Sequence, residues 1–134
     1  MDWIYENTPF EFLGDHYGFV YLITNNLTGR KYIGKKFFIA MKIKVTQSKG
    51  IKKKKRYKAE SDWKEYWSSC DELKADIEKL GKENFTREII RLCPSKGSTN
   101  YHEAKLQFHH EVLENPALWY NGFIGCKIHR SHVK

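Results

Sequence analysis

Residues 18–36, GFVYLITNNLTGRKYIGKK, decide how the rest of the chain is read. Phe19 to Thr24 is a run of β-branched and aromatic side chains, and a shorter run of the same kind surrounds Lys31 to Gly34. Between them, Asn25, Asn26, Thr28 and Gly29 supply the local hydrogen bonds and backbone freedom that turns require. Two such runs around such a turn predict a β-hairpin. Tyr21 falls on one arm and Tyr32, 11 residues later, on the other.

On the N-terminal side, the first 17 residues hold Asp2, Glu6, Glu11 and Asp15 but no lysine or arginine, interleaved with Trp3, Tyr5, Phe10 and Phe12. This acidic, aromatic arm is expected to pack on the body. A sharper reading has it shield the chain's own basic cleft or contact a partner. On the C-terminal side, Met41 to Lys58 carries nine basic residues and no acidic one. Such a block repels itself and is expected to stay mobile until an anion arrives. Ile43 and Val45 there support at most a short strand.

Beyond the basic block, Trp63, Tyr66 and Trp67 fall at helical spacing and predict one or two helical turns with an aromatic face. Core packing of that face is favoured over stacking on bases. Ser69 and Glu72 have the spacing of a capping box, opening a helix over DELKADIEKL that Gly81 ends at its C′ position. Leu73, Ile77 and Leu80 form its buried stripe. Asn84 to Cys93 reads as a third strand and Pro94 to Ser98 as a loop. Asn100 to Glu114 reads as the longest helix, stopped by Asn115-Pro116. The order predicts an α+β fold, a small three-stranded antiparallel sheet flanked by helices. Residues 1–17 form the arm and 18–134 the domain, with a basic insertion at about 41–60.

At 134 residues the chain suits one domain. A net charge of +8 favours a polyanionic partner, nucleic acid or an anionic membrane surface. No apolar run approaches the ~18 residues that span a bilayer. The first residues also lack a signal-peptide pattern, so the expectation is a cytoplasmic protein with no membrane partner. Cys70, Cys93 and Cys126 form no CxxC pair and read as reduced, buried or half-buried thiols. His109, His110, His129 and His132 make no zinc spacing and read as surface residues.

Within the hairpin, Gly18-Phe-Val-Tyr21 and Lys31-Tyr32-Ile33-Gly34 resemble the two half-motifs of the GIY-YIG nuclease family. KYIGKK, the basic insertion, WKEYWSS, GKENF and HEAKLQF follow in an order that looks like small phage-encoded members. The resemblance spans roughly residues 18–122. It implies a single divalent cation, Mg²⁺ or Mn²⁺, held by Glu103. It also implies Tyr21 as base or water-orienting group, assisted by Tyr32, and Asn121 of WYNG as an orienting residue. Lys35 and Lys36 follow the YIG directly and would supply positive charge. His102 adjoins Glu103 and would relay a proton or contact phosphate. Gly34 would allow close backbone approach to substrate, or simply end a strand. The family's arginine position falls at Lys42, so Arg56, the one arginine between the hairpin and WKEYWSS, is nominated, with Lys36 or Lys58 as stand-ins.

Helix grammar offers Glu103 a plainer role as the N3 acid of a helix capped by Asn100. The run Lys42, Lys44, Lys52, Lys53, Lys54, Lys55, Arg56 and Lys58 would grip phosphates, with Lys127 and Arg130 extending the track. The function implied is a metal-dependent endonuclease hydrolysing phosphodiester bonds in DNA, of low sequence specificity because no recognition module is appended; RNA is not excluded. One such site nicks one strand, so duplex scission needs two events or a homodimer. If phage-encoded, it would work in an infected bacterial cell. The alternatives are a non-catalytic nucleic-acid-binding module on the same fold and a protein-interaction factor using the acidic arm and basic loop. The Tyr21, Tyr32 and Glu103 set argues against a pure binder.

Overall fold

A computed structural model describes residues 2–133. In chain order its strands are β1 (Ile4–Tyr5), β2 (Thr8–Pro9), β3 (Gly18–Asn25), β4 (Lys31–Phe37), β5 (Ile39–Ser48), β6 (Ile51–Glu60) and β7 (Phe85–Cys93). The helices are α1 (Asp71–Leu80) and α2 (Lys96–His109). The predicted hairpin is β3–β4, in a register that sets Tyr21 opposite Gly34 and Ile23 opposite Tyr32. Buried Asn25 shapes its turn: its side-chain oxygen accepts from the N–H groups of Leu27 (3.0 Å) and Thr28 (3.3 Å). β7 pairs antiparallel with the other side of β3, and a register shift at Val20/Tyr21 leaves Ile90 as an extra residue. A bulge of this kind re-aims the neighbouring side chains.

The sheet is larger than the expected three antiparallel strands. The arm adds β1 and β2, giving a mixed five-stranded sheet in the order β2-β1-β7-β3-β4, with β1 parallel to β7. Burial of Trp3 explains this: its Nε1–H donates to the Trp63 carbonyl (2.8 Å), and its ring packs edge-on against Phe19 and Tyr21. The arm's strands sit at the end of the sheet remote from β4, and no ion pair joins its acids to the basic segment among the described residues.

The basic segment is also regular rather than a mobile block. β5 and β6 form a separate two-stranded ribbon closed by Lys49 and Gly50, whose φ values are 51° and 77°. Two successive positive φ angles suit a tight two-residue hairpin turn. Alternation along Met41, Ile43 and Val45 then continues as a strand despite the surrounding charge.

Residues 61–70 are a turn rather than the expected aromatic helix. Arg87, 3% exposed, takes the carbonyls of Lys64 (3.1 Å) and Tyr66 (2.6 Å), which a helix would need for its own N–H groups. Its guanidinium lies between the rings of Trp3 and Trp67, 4.5 and 4.2 Å from their centroids. Trp63 is buried, as core packing predicted. Burial pushes the Arg87 guanidinium down to about 10, so it is still charged at neutral pH.

α1 packs Leu73 and Ile77 against Phe19, Tyr21 and Ile23, and Gly81 stops it at φ 92°. On the other face, Val20, Ile33 and Cys93 meet Val112 and Trp119, with Leu106 of α2 packed beside them. Cys126 is exposed, contrary to the expectation of burial, because the tail after Asn121 carries no strand or helix until the 3-10 turn at Arg130–His132. Among the described residues no helix is long and apolar enough to cross a membrane.

Candidate active site

β4 is the outer strand of the sheet, so alternate residues turn main-chain groups away from β3. Several of these find partners. The Lys31 N–H donates to the Leu118 carbonyl and the Lys31 carbonyl accepts from Tyr120 N–H, both at 2.8 Å. Ile33 is clamped by one side chain: its N–H donates to Asn121 Oδ1 (3.1 Å), and its carbonyl accepts from Asn121 Nδ2 (2.8 Å) and from Gln107 Nε2 (2.9 Å). The main chain of Lys35 hydrogen-bonds the Glu103 carboxylate. Glu103 and Asn121, far apart in sequence, thus meet along the edge of the strand that carries Tyr32 and Gly34.

α2 delivers this contact from one helical face. Asn100, Glu103 and Gln107 recur at i, i+3 and i+7, which stacks them on one side. The Lys35 ammonium donates to Asn100 Oδ1, so Lys35 is held by Asn100 at its side chain and by Glu103 at its backbone. The helix starts at Lys96, four residues before the expected Asn100, because Ser95 caps it by accepting from Ser98 N–H (3.1 Å). Glu103 is then the eighth residue of α2 and does not cap it. Burial raises the Glu103 carboxyl above its ordinary value, against the Lys35 ammonium and backbone hydrogen bond, which lower it.

The phenols lie on the α1 side. Tyr21 is 1% exposed, with its ring centroid 6.1 Å from that of Tyr32 and 6.1 Å from that of Tyr66. Its hydroxyl is influenced by the Ser68 and Tyr66 side chains, and that of Tyr32 by the Ser69 side chain. A Cβ at Gly34 would come 2.5 Å from Tyr21 Oη and 2.7 Å from Tyr32 Cε1. The close approach that demands glycine here is therefore made by the two tyrosines themselves. Burial, with the neighbouring Tyr66 and Tyr32, pushes the Tyr21 phenol well above its ordinary value; burial raises Tyr32 as well.

The family model described as "Putative endonuclease segE, GIY-YIG domain" matches residues 3–124. The chain belongs to the GIY-YIG nuclease family. No curated protein and no solved structure matches it. The GIY-YIG match begins at Trp3, the first arm residue buried in the core, and ends just after Asn121.

The remaining candidates are placed unevenly around this GIY-YIG centre. Lys36 projects toward the phenols: its Nζ is 2.7 Å from Asp62 Oδ1 and 4.2 Å from the Tyr66 ring centroid. Lys36 lowers the Asp62 carboxyl in turn. His102 is buried with its ring 5.0 Å from that of Tyr101. Arg56 is exposed on the ribbon, at the fifth residue pair from its root, and among the described residues it bonds to none of these groups. At about 3.3 Å per residue that is roughly 13 Å out along the strand. Lys42, Lys44, Lys52, Lys53, Lys54, Lys55 and Lys58 share the ribbon, whereas Lys127 is on the irregular tail and Arg130 opens the 3-10 turn.

Five residues at the centre, Tyr66, Ser68, Ser69, Asn100 and Gln107, were not singled out for chemistry by sequence. The polar spacing Asn100, Glu103, Gln107 along one helix face is the signal that points to two of them. No group of three or more metal-ligating His, Cys, Asp or Glu side chains occurs among the described residues. A single carboxylate on a rigid helix fits a hard cation that draws its other oxygen ligands from water and phosphate.

Proposed function

We propose that this chain is a metal-dependent endonuclease that hydrolyses phosphodiester bonds in DNA, with Glu103 holding one Mg²⁺ or Mn²⁺. When bound, that cation supplies positive charge to the phosphate and the departing oxygen. Glu103 is suited to the role by its place on α2 beside Lys35 of β4, which draws its carboxyl down against burial. Tyr21 acts as a hydrogen-bonding group that orients water. As a buried phenol with an elevated proton affinity it is protonated at neutral pH, which disfavours the base role. Ser68 and Tyr66 hold its hydroxyl, and Gly34 keeps the space into which it fits. Lys35 and Lys36 place two cations on β4 for the phosphate, in addition to the ribbon's phosphate contacts. Asn121 keeps Ile33, and so the flanking Tyr32 and Gly34, in register.

One observation carries this reading: a single, largely buried carboxylate on α2 faces Lys35 of the YIG strand, the strand that also bears Tyr32 and pairs with Tyr21. The GIY-YIG assignment supports it at the level of a nuclease. The test is nicking of supercoiled plasmid with Mg²⁺ by the wild type, by Glu103→Gln and by the wild type in EDTA. Nicked product from the wild type alone is expected, with the variant slower by at least about a thousandfold, the loss typical of a removed electrostatic stabiliser. Undiminished nicking by Glu103→Gln would remove the carboxylate from the mechanism.

A further inference from the structure

The ribbon of β5 and β6 holds ten residue pairs, from Ile39↔Glu60 at the root to Ser48↔Ile51 at the tip. At about 3.3 Å per residue it is roughly 33 Å long, close to one turn of B-form DNA. Its root is fixed. Phe38 is fully buried; its N–H donates to the Tyr17 carbonyl (2.8 Å), and Ser61 binds the carbonyls of Phe38 (2.7 Å, through N–H) and Phe37 (2.6 Å, through Oγ). Since β4 ends at Phe37 and β5 begins at Ile39, the ribbon extends the strand that carries Tyr32, Gly34 and Lys35.

Cross-strand pairing sorts the ribbon into two faces. One carries Met41, Ile43 and Val45 from β5 directly beside Lys58, Arg56 and Lys54 from β6. The other carries Lys42 and Lys44 with Lys55 and Lys53. The apolar row is uncovered, with Met41, Ile43 and Val45 all more than half exposed (57, 58 and 56%). Its occupant must present an apolar floor between two anionic walls. A second copy of the ribbon fails, because it would set nine cations against nine. A single strand calls for aromatic stacking platforms, yet Trp63 is buried, Trp67 lies against Arg87, and Tyr57 is the one aromatic on the ribbon. An A-form duplex has a deep, narrow major groove closed to side chains. The B-form major groove admits a two-stranded ribbon and presents base edges and thymine methyls between its phosphate walls.

We infer that the β5–β6 ribbon is an arm that enters the major groove of B-form duplex DNA, with Met41, Ile43 and Val45 toward the base edges and the cations toward both backbones. The inference rests on the nucleic-acid reading above, but docking requires no turnover.

The test is therefore binding in EDTA, by fluorescence anisotropy, to a DNA duplex of two helical turns, an RNA duplex of the same sequence and the single DNA strand. The full chain is compared with one in which residues 43–56 are replaced by Asn-Gly, closing the ribbon at the pair Lys42↔Tyr57. A second variant, Lys44→Gln/Lys53→Gln/Lys55→Gln, keeps the ribbon's length. The full chain should bind the DNA duplex at least about tenfold tighter than the RNA duplex, and lose it to methyl green, a major-groove ligand, but not to distamycin, a minor-groove one. The shortened chain should bind the DNA duplex about a hundredfold more weakly, and the triple variant should flatten the salt slope by about 2–3. Equal affinity for the two duplexes, competition by distamycin alone, or full affinity in the shortened chain would overturn the arm. Failure of plasmid nicking with these binding results intact would remove the nuclease reading and leave the arm standing.

Discussion

Glu103 shows at residue scale how a carboxyl proposed for chemistry is held against its own solvation. Its carboxyl sits above the ordinary value because burial outweighs the opposing pull of Lys35. The unfolded chain therefore ionises Glu103 at lower pH than the folded chain does. Below the ordinary carboxyl range both states are protonated and the residue costs nothing; as pH rises through the folded value, the buried charge becomes a full penalty on stability. Glu103→Gln keeps an oxygen for the Lys35 main chain and removes that charge. It should melt a few degrees higher than the wild type at pH 7, with the gap closing below about pH 4, while nicking is lost. Thermal unfolding of both chains across that range checks it, and a wild type that stays more stable at neutral pH would contradict it. Gly34 is bound by packing rather than charge. A methyl group there meets both Tyr21 and Tyr32, so Gly34→Ala should lose about 1–3 kcal/mol in urea unfolding, the usual result of overpacking. Nicking by the protein that remains folded should fall with it, since both phenols must shift.

At the scale of elements, the ribbon differs from the rest of the sheet in what supports it. An isolated two-stranded hairpin is marginal in water, and Lys44 opposite Lys55 is a like-charge pair that weakens this one. Amide hydrogens of β5 and β6 beyond the root should exchange at least about a hundredfold faster than those of β3 and β7 at low salt, and slow on adding duplex DNA. Hydrogen exchange read by mass spectrometry distinguishes this from equal protection of all strands. The same elements show what was legible in the sequence. β3, β4 and β7 announced themselves through apolar runs and turn chemistry, as did α1 through Leu73, Ile77 and Gly81. One helix start, that of α2, was misplaced, and for α1 the cap was misassigned although the helix spans DELKADIEKL as expected; both have one physical reason. Ser69 and Glu72 read as a capping box, but Ser69 hydrogen-bonds Tyr32 and Glu72 takes Arg30 at 2.7 Å, leaving Cys70 at the N-cap without a side-chain bond. Asn100 read as a cap, yet its side chain holds Lys35. Cap-forming residues are short polar groups with unspent hydrogen bonds, which is also what a site draws on. Local spacing cannot tell the two uses apart when the partner is 42 or 65 residues away.

For the molecule as a whole, the sheet order separates the arm's strands from the β4 edge, with β7 and β3 between β1 and β4. The two ends are joined through aromatic packing as well as through the backbone ladder. Trp3 touches Tyr21 at 5.3 Å, donates to Trp63, and covers Arg87; Trp63 meets Phe38 at 5.1 Å, and Phe38 roots the ribbon. One side chain near the N-terminus thus supports Tyr21, a buried cation and the base of the proposed arm. Truncating it leaves a cavity beside Tyr21 and strips the Trp63 carbonyl and the Arg87 guanidinium of a partner each. Trp3→Ala should therefore lose about 3–5 kcal/mol, a large share of the roughly 5–15 kcal/mol that holds a domain of this kind together. Urea unfolding measures that loss directly. Nicking assayed well below the variant's melting temperature separates the two contributions. If Trp3 matters only to global stability, the folded variant should cut at the wild-type rate. If it also positions Tyr21, the rate should drop about tenfold or more with the melting curve still fully native, and Trp3→Phe, which refills most of the cavity without the Nε1–H donor, should recover part of both.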